Sequence, residues 1–137
     1  MIPKTFENHR AEEKMSTLIE YWGNGQPYCI IYRAADLSSL HRDDGPASKR
    51  WDASGHPVFE SWWRNNKRHR VGYPALVELI WRDDNIIYQR KEWWRDGVQY
   101  RESGPAVIEI SRAHTREAWY LDGFCYREKI IEVLRAR

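Results

Sequence analysis

The sequence predicts a mainly β protein: tandem antiparallel β-hairpin repeats forming a twisted meander of about eight strands, with a short helix at either end. Three observations predict it. The chain is rich in aromatics for its 137 residues, with eight Trp, eight Tyr and three Phe beside two Met. A short turn preceded by aromatic residues recurs along it, and a second signature, His-Arg-x-x-Gly-Pro-Ala, recurs at matching spacing. Aromatic rings pack well on a pleated surface and bury roughly 150–250 Å² each, so few residues fill a small core.

Four segments align on the turn: Tyr21-Trp22-Gly23-Asn24-Gly25, Trp62-Trp63-Arg64-Asn65-Asn66, Trp93-Trp94-Arg95-Asp96-Gly97 and Trp119-Tyr120-Leu121-Asp122-Gly123. Three residues beyond each stands Tyr28, His69, Tyr100 or Tyr126, followed in three of them by Arg70, Arg101 or Arg127. The second signature reads His41-Arg42-Asp43-Asp44-Gly45-Pro46-Ala47, then His69-Arg70-Val71-Gly72-Tyr73-Pro74-Ala75, then Tyr100-Arg101-Glu102-Ser103-Gly104-Pro105-Ala106. Successive copies lie 28, 31 and 26 residues apart, the last stopping at Tyr126-Arg127.

Asn-Gly and Asp-Gly supply the positive φ angles that a two-residue hairpin turn demands. Pro cannot sit inside a central strand, so Gly-Pro marks a second reversal and the strand restarts at Ala. Ala75, Val77, Leu79 and Trp81 then share one face with Glu78 on the other, and Ala106, Ile108 and Ile110 repeat this against Glu109. Each such strand is expected to run to a loop near 52–55, 83–85 or 114–115 and return through the Trp-Trp segment. One unit cannot bury its own aromatic face, so stacked neighbours make the core.

The chain reads as one repeat domain over 1–137, with an N-terminal cap over 1–20, repeats over about 21–127 and a C-terminal helix over 128–137. Ile130, Ile131, Val133 and Leu134 fall on one side of that helix. Near the other end, Ala11, Met15, Leu18, Ile19 and Trp22 recur at helical spacing, while Trp22 also aligns with the aromatics that precede turns. These give a helix over about 6–15 and a strand over 16–22. Residues 33–40 fit no repeat and read as a loop or helical turn.

These motifs resemble the degenerate MORN-type repeats with a W-x-x-N-G-x-x-H-R-x-x-G-P-A consensus found in many phage and giant-virus proteins. The likeness runs from about Tyr21 to Arg127. Its second copy departs at Tyr73, where Gly is expected, and at Asn66; its fourth lacks Gly-Pro-Ala. The resemblance implies β-hairpin repeats, a phage source, and binding of protein or lipid rather than chemistry.

Lys and Arg number 22 against 20 Asp and Glu, a net charge of +2, which excludes a polyanion-coating tail while permitting a local basic patch. No run approaches the roughly 20 apolar residues that cross a bilayer, and the first residues lack a hydrophobic signal core, so no membrane contact is expected. The expected compartment is the cytoplasm, that of the host if the chain is phage-encoded. Cys29 and Cys125 make no disulfide framework and read as buried thiols in strands. None of the five histidines lies three to five residues from another, although stacked repeats could bring His41 near His69. No nucleophile elbow or Gly-rich phosphate loop occurs. The expectation is no enzyme, no cofactor and no metal.

Binding functions are left. The His-Arg motif reads as architecture, its guanidinium pinning the turn through a carboxylate or the loop's free carbonyls, because a binding residue is seldom needed in every copy. An outward row of Trp63, Trp94 and Tyr120 is the expected protein-binding surface, since Trp, Tyr and Arg dominate the energetic centres of interfaces. The terminal strands also offer edges for pairing, including homo-oligomers. A protein partner, host or phage, bound by an accessory protein that modulates it, for instance in counter-defence, is the first expectation. The alternative is single-stranded nucleic acid bound by the basic-aromatic hairpin 62–70, through Arg64, Lys67, Arg68 and Arg70, with Arg82, Arg90, Lys91 and Arg95 extending the stripe.

Overall fold

The structure, a computed structural model, describes residues 4–10, 15–34 and 40–132. In chain order their strands are β1 (Lys4–Arg10), β2 (Met15–Tyr21), β3 (Pro27–Ala34), β4 (Ser48–Trp51), β5 (Pro57–Ser61), β6 (Trp63–Arg64), β7 (Lys67–Arg68), β8 (Leu76–Arg82), β9 (Asn85–Glu92), β10 (Trp94–Arg95), β11 (Val98–Gln99), β12 (Val107–Ser111), β13 (His114–Leu121) and β14 (Phe124–Glu132). Ten of them form one antiparallel sheet in the order β1-β2-β3-β4-β5-β8-β9-β12-β13-β14. The remaining four make two small hairpins, β6-β7 and β10-β11. The mainly β meander of hairpins is therefore present, with fourteen strands where about eight were expected. Four of the additional strands arise because the two Trp-Trp turns fold as separate hairpins between sheet strands, and the terminal segments contribute the others.

Both terminal helices are corrected to strands. Residues 4–10 pair with β2 from Lys4↔Tyr21 to Arg10↔Met15, where a helix over about 6–15 was expected. Residues 128–132 continue β14, with Ala118↔Glu128 and Arg116↔Ile130 in register. Residues 11–14 and 133–137, the remainder of those two expected helices, lie outside the described residues, as do 35–39 of the expected loop. Nucleating a short helix is unfavourable, whereas an extended segment beside a formed strand gains a full ladder, and β-branched Ile130 and Ile131 suit it.

The turns follow the backbone chemistry of their residues. Asn65 and Asn66 (φ 50° and 61°), Asp96 and Gly97 (48° and 80°), and Asp122 and Gly123 (49° and 81°) have the paired positive φ of a type I′ turn. Asp83 and Asp84 (50° and 62°) do the same where only a loop was expected. The first aligned segment differs. Its turn has one left-handed residue, Gly25 (φ 85°), and it connects β2 to β3 at the opposite end of the sheet from the small hairpins. Its structural counterpart is the β4–β5 turn with Gly55 (φ 91°), to which it is tied by Trp22 Nε1 donating to Trp51 O at 3.2 Å.

Strand alternation holds, and the more deeply enclosed face is the one bearing Glu78 and Glu109. Ser61, Leu76, Glu92, Val107 and Ala118 form one cross-strand row, each at most 7% exposed. The small hairpins cover this row: Trp63 Nε1 donates to Ser61 Oγ at 2.8 Å, and Gln99 Nε2 to Glu92 Oε1 at 3.0 Å. Val77, Leu79 and Ile108, on the opposite face, are only half-buried. Two residues further along the covered face, Glu78, Arg90, Glu109 and Arg116 stand opposite one another on β8, β9, β12 and β13. This alternating charge ladder needs the register to exist, so no single strand reveals it.

Candidate functional site

The His-Arg-x-x-Gly-Pro motif builds the same device in each copy. Arg42, Arg70 and Arg101 donate from Nη1 to the carbonyls of Pro46, Pro74 and Pro105 at 3.3, 3.1 and 3.1 Å. Their guanidinium carbons lie 4.1, 3.8 and 3.8 Å from the ring centroids of Tyr32, Trp62 and Trp93. Arg127, past the last turn, repeats the stack on Trp119 at 4.4 Å. The motif glycine makes room: a Cβ on Gly45 would stand 2.5 Å from Arg42 Cζ. The histidine ties one unit to the next, His41 Nδ1 accepting from Asn65 N and His69 Nδ1 from Asp96 N, both at 3.0 Å.

This device decides where the expected contact residues lie. Trp63 and Trp94 are half-buried over the sheet with Arg68 between them, its guanidinium 5.0 and 5.1 Å from their centroids. Desolvation holds Arg68 below the usual arginine range, against the pull of Glu92 and Glu78, and its Nε and Trp94 Nε1 are buried without hydrogen-bond partners. Tyr120 is half-buried in β13. Trp62 and Trp93 are half-buried beneath Arg70 and Arg101, so every tryptophan of the two pairs has a guanidinium at one face. Of the expected cations, Arg64 and Lys67 are exposed, whereas Arg68 and Arg70 are engaged by rings and carbonyls. Arg90 is held by Glu92 and Glu109, each at 3.1 Å, far from any exposed stripe.

Between the two small hairpins runs a groove of about 580 Å³. Arg64 and Arg70 line it from one side and Arg95 and Arg101 from the other, so it gathers two of the four expected nucleic-acid contacts with Arg95, expected to extend their stripe, and Arg101, expected only to pin its turn. The repeat alignment carried the signal for them, because Arg95 and Arg101 occupy the places of Arg64 and Arg70 in the next copy. Lys67 is not part of this lining.

A second surface lies at the end of the sheet. Leu121, Phe124, Tyr126, Ile130 and Ile131 are 64, 78, 64, 58 and 43% exposed, and the last four belong to β14. That strand pairs with β13 and has no neighbour on its other side among the described residues. The expectation of two buried thiols holds for Cys29 alone; Cys125, on β14, is exposed.

Among the described residues no group of three or more His, Cys, Asp or Glu is placed to hold a metal, and no helix is long and apolar enough to cross a membrane. No family model, curated protein or solved structure matches the chain.

Proposed function

We propose that this chain is a non-enzymatic macromolecular binding protein, an accessory module that binds and modulates another protein through its C-terminal hairpin. The observation that carries the reading is the set of exposed apolar side chains on β14, Phe124, Tyr126, Ile130 and Ile131, on a strand edge that is unpaired among the described residues. Unpaired backbone N–H and C=O groups beside large apolar side chains form a template for adding a strand from a partner. Monomeric proteins seldom leave such a surface bare. The candidate partners are another protein or a second copy of this chain.

The position of the aromatic rings weighs against nucleic acid, since bases stack on exposed ring faces and the tryptophans of both pairs are half-buried with a guanidinium at one face. Affinity capture with the intact chain and with a Phe124→Ser/Ile130→Lys variant tests the proposal, beside sedimentation velocity for self-association. Loss of partner or of self-association in the variant is expected. Unchanged partners and unchanged sedimentation would oppose it. Binding of an oligonucleotide at low salt that falls steeply with added salt and with Arg64→Ala/Lys67→Ala would favour the nucleic-acid reading instead.

A further inference from the structure

We infer that the groove between the small hairpins binds an acidic, extended peptide segment, a contact separate from the β14 edge. Its volume of about 580 Å³ falls in the range of ligand sites. Four arginines line it beside two carboxylates, Asp96 and Glu102, so the lining is net positive. Neither carboxylate pairs with an arginine: that of Asp96 lies 3.4 Å from His69 Nδ1, and that of Glu102 accepts from the Tyr100 hydroxyl at 2.8 Å. Among the described residues Arg64, Arg95 and Arg101 form no ion pair, and the nearest carboxylate to Arg70 is Glu60 at 3.9 Å.

The neighbouring copy supplies the internal comparison. Arg42 occupies the place of Arg70 and is neutralised by Asp44, its Nε donating at 3.1 Å. At the positions of Asp43 and Asp44 the second copy has Val71 and Gly72. The acidic pair is thus missing where the groove opens, which leaves Arg70 to a carboxylate from outside. Guanidiniums stacked on rings keep their planar N–H edges for carboxylates, the fork geometry that arginine matches best.

Two features select a peptide over a nucleic acid. Trp93, Trp62 and Tyr100 already carry Arg101, Arg70 and Arg95, which takes one face of each of these rings from a base. Val71 lines the groove and is 79% exposed, offering an aliphatic contact that an apolar side chain uses and a base does not stack on.

Fluorescence anisotropy on the full chain, with a labelled glutamate–leucine hexapeptide, tests the inference. This peptide is expected to bind, and its glutamine–leucine counterpart is not. The Arg64→Ala/Arg95→Ala variant should lose about tenfold or more in affinity, the worth of one charge-assisted hydrogen bond. Unchanged thermal unfolding checks that it folds. Arg82→Ala/Arg112→Ala removes the same charge at exposed positions, the end of β8 and the β12–β13 turn, at the opposite end of the sheet and should leave affinity unchanged. Phe124→Ser/Ile130→Lys should also bind the peptide normally, so failure of the groove and failure of the edge are separate results. Equal binding of the glutamine peptide, equal loss in the Arg82/Arg112 control, or tighter binding of a labelled oligothymidylate through Arg64 and Arg95 would each overturn it.

Discussion

Replacing Arg101 by alanine removes two interactions from one half-buried side chain: the stack on Trp93 at 3.8 Å and the hydrogen bond to Pro105 O at 3.1 Å. A partly solvated cation–π contact contributes about 1 kcal/mol. A hydrogen bond from a charged donor contributes about 1.5–3 kcal/mol, toward the lower end here because solvent reaches the group. The expected loss is therefore about 2–3 kcal/mol. For a chain of this length that corresponds to a fall in Tm of roughly 8–12 °C. Thermal and urea unfolding of the single variants Arg101→Ala and Trp93→Ala and of the double variant isolate the stack as a coupling energy of about 1 kcal/mol. Arg101→Lys keeps the charge without the plane and should recover only part of the loss. A cost below about 0.5 kcal/mol for Arg101→Ala, or a coupling near zero, would refute the staple as a source of stability, since that is the scale of an ordinary surface substitution.

Gly45→Ala should displace the Arg42 guanidinium and cost about 1–2 kcal/mol in urea unfolding, yet cost nothing further in an Arg42→Ala background. His56 is stacked on Trp81 and bonded to Asp52 and Asp84 at 3.1 and 2.7 Å; desolvation works to lower it, but the two carboxylates prevail and raise it above its ordinary value of 6.5. For Asp52, desolvation is likewise outweighed, by hydrogen bonds from His56 and Ser54, and its carboxyl is held below the ordinary 3.8. The His56 contribution to stability is complete below pH 6.5 and is lost as pH rises through the folded value; that of Asp52 is present above pH 3.8 and is lost as pH falls through its lowered value. NMR titration should place His56 above 6.5, and His56→Gln should flatten the alkaline limb of stability against pH. With a thiol reagent, Cys125 should react at once and Cys29 only on unfolding, because burial pushes the Cys29 thiol up and shields it. Two fast thiols would contradict the burial of β3.

Much of this molecule could be read from local chemistry. Asn, Asp and Gly at turn positions dictate positive φ, Pro ends a strand, and alternation sorts side chains between faces, so the hairpins and the staple role of the His-Arg motif were legible before any coordinate. Such rules act within a few residues and do not depend on neighbours. What they could not decide is which face would be covered. Val77, Leu79 and Ile108 look like a core face in isolation, yet Trp63, Trp94 and Arg68 pack on the opposite one, because the connecting hairpins fold back there. The same limit explains the termini: Ile130 and Ile131 fit a helix by spacing, and only β13 alongside makes them a strand. The site depended most on tertiary structure. Arg64, Arg70, Arg95 and Arg101 are separated along the chain and converge only when two copies stand side by side, while Trp63 and Trp94, expected outside, are drawn in around Arg68.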